Sequence, residues 1–130
     1  MFSHMTVGTN DIARARRFYD ALFAAIDGRP GMEDAKGRLV YMHKGALFIV
    51  TPPIDGHGAT HGNGATIGFA MSGPEQADAW HRAGVEHGGT AIEDAPGVRQ
   101  APVGELYLAY LRDPDGNKLC GVHRMPRARA

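Results

Sequence analysis

The second half of this 130-residue chain repeats the pattern of its first half, and that repeat limits the possible folds more than any single motif does. Shifting the sequence by 62 positions sets His4 on Thr66, Ala15 on Ala77, Phe18 on Trp80 and Phe23 on Val85. Identity between the halves is weak, but an apolar strand, a helix-capping turn and a helix core move together. Two βαβββ modules are the economical reading. Each would be too small to bury its own sheet, so the halves need each other.

The elements follow from local chemistry. Residues 2–9 alternate, with Met5 and Val7 on one face and His4 and Thr6 on the other, as in a half-buried strand. Asn10 or Asp11 then caps a helix whose inner stripe is Ile12, Ala15, Tyr19, Leu22, Phe23 and Ile26. Residues 38–43 and 46–51 form a hairpin through Lys44–Gly45, and Pro52–Pro53 ends it. In the second half a strand at 65–71 leads into Ser72 and Glu75, which have the spacing of a capping box, with Pro74 in the first turn. That helix stops at Gly88–Gly89, and Trp80 belongs to its core stripe. Strands are expected at 90–92, 106–112 and 118–123, the last two joined by the turn Asp113-Pro-Asp-Gly-Asn117. The chain is expected to be one α+β domain over residues 1–130. Its modules span roughly 1–53 and 65–123, its glycine-rich linker 54–64 and its tail 124–130.

Composition narrows the function. Lys and Arg number 14 and so do Asp and Glu, a balance unsuited to nucleic acid, which needs a basic face. The single cysteine, Cys120, allows no internal disulfide and fits a reducing compartment. Neither a signal peptide nor an apolar run of the ~20 residues needed to span a bilayer is evident. A cytoplasmic protein without membrane or nucleic-acid partners is the expectation.

The opening HMTVGTNDIARARRFYDALF and the closing AYLRDPDGNKL together resemble the vicinal-oxygen-chelate superfamily, which includes glyoxalase I, bleomycin-resistance proteins and extradiol dioxygenases. The resemblance covers nearly the whole chain. It implies two modules forming an open, cup-shaped mixed sheet, commonly completed by homodimerisation. In the enzymes of that group a divalent metal in the cup chelates neighbouring oxygens of the substrate.

The resemblance also says where metal ligands belong. The first falls on His4. The second falls within Phe48-Ile49-Val50-Thr51, which has no carboxylate. The third falls on Thr66, and the fourth, commonly Glu, on Cys120. One imidazole and one thiol fall short of the three or more protein ligands of an ordinary zinc site. No cofactor is therefore expected. A divalent Zn, Ni, Fe or Mn would need help from His43, Glu105 or a partner subunit. His57 and His61, four apart in the glycine-rich stretch, form a weak metal pattern because the glycines oppose a helix. Cys120 reads as a structural thiol, Arg99 as a solvated arginine, and His81, His87 and His123 as surface residues.

Two readings of function follow. In one, the cup holds a small metabolite or drug-like molecule without metal, walled by His4, Thr6, Phe48, Val50, Thr66, Gly68, Phe69, Leu108, Tyr110 and Cys120. In the other, the chain is a lyase or isomerase like lactoylglutathione lyase, or a dioxygenase-type metalloenzyme. There His4 is the base and Tyr110 orients the substrate.

Overall fold

The computed structural model describes residues 1–127. The first module runs β1 (His4–Gly8), α1 (Ile12–Ala24), β2 (Met32–Glu33), β3 (Leu39–His43) and β4 (Ala46–Thr51). The second runs β5 (Ile67–Ala70), α2 (Pro74–Glu86), β6 (Thr90–Ala91), β7 (Gly97–Ala101), β8 (Gly104–Arg112) and β9 (Lys118–Arg124). The strand orders are β1-β4-β3-β2 and β5-β9-β8-β6, with β7 also pairing β8. In each sheet the module's first strand lies parallel to its last, and the other pairs are antiparallel. No helix among the described residues is long and apolar enough to cross a membrane.

Both helices cover the same side of the sheets. Asp11 caps α1 by accepting from the Arg14 backbone N–H at 3.0 Å, and the buried stripe Ala15, Phe18, Tyr19, Leu22 and Phe23 follows the helical period. The β3–β4 hairpin turns through Lys44 and Gly45 at φ 48° and 81°, the left-handed pair a two-residue turn requires. Three expectations change. The short β2 and the strand β7 carry too little apolar alternation to announce themselves. The Ser72–Glu75 capping box does not form: Gly73 is the N-cap, one residue later, and Gln76 Oε1 instead accepts from the Ser72 N–H at 2.7 Å. The repeat also breaks at its end, because Val85 is 44% exposed where Phe23 is 4% exposed. Helix α2 crosses close at Gly84, where a Cβ would collide with Leu111 and approach Leu22 Cδ1 to 3.3 Å.

A single core joins the modules. Ring centroids step from Tyr19 to Phe48 at 5.0 Å, on to Phe69 at 5.5 Å and then to Trp80 at 5.7 Å, so aromatic packing crosses from one sheet to the other. The Asp113–Asn117 turn adds a polar clasp. The buried Asp113 carboxylate accepts from the Tyr19 hydroxyl at 2.5 Å and from Asn117 Nδ2 at 2.8 Å, and burial still pushes its pKa up. Asp115 accepts from the Thr9 hydroxyl at 2.6 Å, the Asn10 N–H at 2.9 Å and Arg14 Nη2 at 2.8 Å. A sequence that makes a good turn thereby fastens the second module to the β1–α1 junction of the first.

Candidate functional site

Strand alternation decides which residues reach the face away from the helices. Side chains of paired residues share a face, so His4, Thr6, Leu47 and Ile49 stand on the open face of the first sheet. Gly68, Leu108, Tyr110 and Cys120 stand on the corresponding face of the second, and Thr66, just before β5, follows the same parity. Phe48 and Val50 do not belong there. They point under α1, 6% and 0% exposed, because they share the parity of Val7 and Tyr41 rather than that of Thr6. The open-face walls of β4 are Leu47 and Ile49. Phe69 likewise packs on the core side.

The positions that the resemblance assigns to metal ligands now form two half-sites. Within β4, Ile49 is the residue paired with Thr6, just as Cys120 is paired with Gly68, and Thr6 and Gly68 are equivalent in the repeat. His4 and Ile49 are thus diagonal neighbours on adjacent strands, as are Thr66 and Cys120. The donor set does not fit a divalent metal. Ile49 offers no donor and Thr66 a weak one. Cys120 is 4% exposed, and burial pushes its thiol up, away from the thiolate a metal takes. Among the described residues, no three side chains of His, Cys, Asp or Glu gather as a metal-binding group. That holds for His43, Glu105, His57 and His61 as well. His57 lies 3.4 Å from Asp55, and His61 rests on Gly116, where a Cβ would be 2.6 Å from its Nδ1.

Tyr110 has the most built surroundings on this face. It pairs directly with Cys120, and Lys118 Nζ sits 5.0 Å from the ring centroid while also forming an ion pair with Glu93. Burial, then the adjacent thiol, pushes the phenol above its ordinary pKa, so it stands as a neutral hydrogen-bond donor. Tyr107, on the opposite face, donates instead to Asp78 of α2 at 2.6 Å. Arg99 is engaged rather than solvated: its guanidinium donates to the carbonyls of Gly97 at 2.8 Å and Asp94 at 2.9 Å. His4 is exposed, with Nδ1 2.7 Å from the Ser3 hydroxyl. His4 on β1 and Tyr110 on β8 belong to different sheets, and among the described residues no hydrogen bond links them.

The sheets are not hydrogen-bonded to each other where β1 faces β5, and a cleft opens at each end of that seam. One, of about 280 Å³, is mixed in character and sets Thr6, His61, Thr66 and Lys118 beside Val7 and Ile67. Its wall is the glycine-rich segment, held by the Ala59 N–H donating to Asn10 Oδ1 at 2.6 Å. The other, of about 260 Å³, is a slot over the aromatic core, lined by Met5, Phe23, Phe48, Phe69, His43 and Gly68 among others. Alternation within any one strand does not reveal the slot, because its walls come from five separate elements.

Two joined modules, each a strand followed by a helix and further strands, thus present one open face away from the helices. The family model described as Glyoxalase/Bleomycin resistance protein/Dioxygenase superfamily matches residues 1–120, and the chain belongs to that superfamily. A glyoxalase/bleomycin resistance protein from Albidiferax ferrireducens is 52% identical, with TM-score 0.92, covering 95% of this chain and 99% of that one. A family enzyme from Burkholderia phytofirmans is 19% identical, with TM-score 0.71 and coverages of 92% and 95%. A lactoylglutathione lyase from Agrobacterium tumefaciens is 18% identical, with TM-score 0.65 and coverages of 94% and 92%; at such identities the likeness is one of fold. No curated protein matches the chain.

Proposed function

We propose that this protein binds a small organic molecule on its open face without a resident divalent metal. The observation that carries the reading is the donor set at the two half-sites, where His4 alone is a good ligand and faces Ile49, Thr66 and a buried Cys120. Leu47, Ile49, Leu108 and Val122 supply half-buried apolar walls, while Thr6, Thr66 and Tyr110 supply polar points that orient a ligand. A second copy of the chain completes the cup in this reading, covering apolar side chains such as Val40 and the exposed Met42. The lyase reading has less support, since proton abstraction beside a carbonyl needs a base and an oxyanion stabiliser together, and among the described residues the His4 ring is bonded to Ser3 rather than linked to Tyr110.

Elemental analysis of untagged protein purified without chelator tests this. Divalent metal far below stoichiometry is expected. About one bound ion per chain, as a structural or catalytic centre would hold, overturns the reading.

A further inference from the structure

We infer that the slot at the β3–β4 end of the seam is a binding site for a small aromatic carboxylate. This deepens the small-molecule reading and rests on it, but the slot is separate from the half-sites of the open face. Its walls are Phe23, Phe48 and Phe69, whose centroids lie 5.5 to 5.9 Å apart, with Met5 and Ile26 beside them. A volume of about 260 Å³ suits one or two fused rings, given that an apolar cavity of roughly 150 Å³ accepts benzene.

Two features point to a ligand rather than to loose packing. The first is His43. It lines the slot half-buried, edge-on to Phe23 at 6.2 Å, and among the described residues neither of its ring nitrogens has a hydrogen-bond partner. The second is charge. Lys44 lines the slot beside His43, and Arg29 lies with both in the adjoining hollow, against one acid there, Asp27. A ring therefore enters among the phenylalanines, and its carboxylate faces His43 and Lys44.

Isothermal titration with 2-naphthoate, in protein stripped with chelator and in protein supplied with zinc, tests the site. Saturable one-to-one binding, equal in both preparations, is expected. Ala46 lines the slot, is exposed and shares the face of Phe48 and His43, so Ala46→Leu should abolish binding by filling the slot, and Lys44→Gln should weaken it, with circular dichroism confirming both folds. His43→Gln should weaken it by about 10-fold, the loss of one charge-assisted hydrogen bond. The neutral analogue 2-naphthol should bind correspondingly less well. Absence of saturable binding, or binding unchanged in both slot variants, overturns the site. Equal binding of 2-naphthol overturns the carboxylate class. Zinc-dependent binding would place the ligand on a metal, and that result would count against the metal-free reading rather than against the slot alone.

Discussion

The two ends of the seam between the modules are built from opposite materials. At the Asp113–Asn117 end, two carboxylates gather donors from the β1–α1 junction, α1 and the turn itself, and the glycine-rich segment is tied to Asn10 beside them. At the β3–β4 end, phenylalanine rings meet below small residues, and a slot stays open. At the first end the carboxylates accept from the fold's own donors. The second has apolar area, a histidine without a partner and space. The polar clasp and the apolar slot thus lie at opposite ends of one interface.

Substitutions can break this contrast, starting at the clasp. Asp113→Ala should cost about 3–5 kcal/mol in urea unfolding, because it strands the buried Tyr19 hydroxyl and the turn's own donors together. Tyr19→Phe should cost about 1.5–3 kcal/mol, the range for a hydrogen bond to a charged group. Arg14→Ala should cost under about 1 kcal/mol, since that side chain is 40% exposed and its ion pair with Asp115 is screened; added salt should shrink the difference further. Ala46→Leu should change stability by no more than about 0.5 kcal/mol, as a substitution at an exposed site, while removing aryl-acid binding. If Ala46→Leu proved as costly as Tyr19→Phe, the slot would be part of the core and the contrast would collapse.

Much of the fold could be read in the sequence because its signals are local and repeated. The stripe of α1, the Lys44–Gly45 hairpin and the Asp113–Asn117 turn each follow from a few neighbouring residues. The family assignment needed only their order. The site was less legible. Alternation correctly separates Tyr107 from Tyr110, but it cannot say which face of β4 meets α1, and Phe48 and Val50 went to the wrong side for that reason. The role of Asp115 depends on contacts across more than 100 positions of sequence, and the slot depends on five elements. Such features exist only once the modules have docked.

The measurement that tests the account most directly is restoration of the donors on the open face. In the Ile49→Glu, Thr66→His, Cys120→Glu variant, His4 would regain three partners at the positions where the family carries ligands. After equilibration with zinc or nickel and gel filtration, the account predicts about one ion per chain in the variant and essentially none in the native protein. Cys120→Glu alone serves as the milder variant should the triple one fold poorly. Native protein that retains as much metal as the restored variant would contradict the account, because a metal site would then exist that these four positions do not explain.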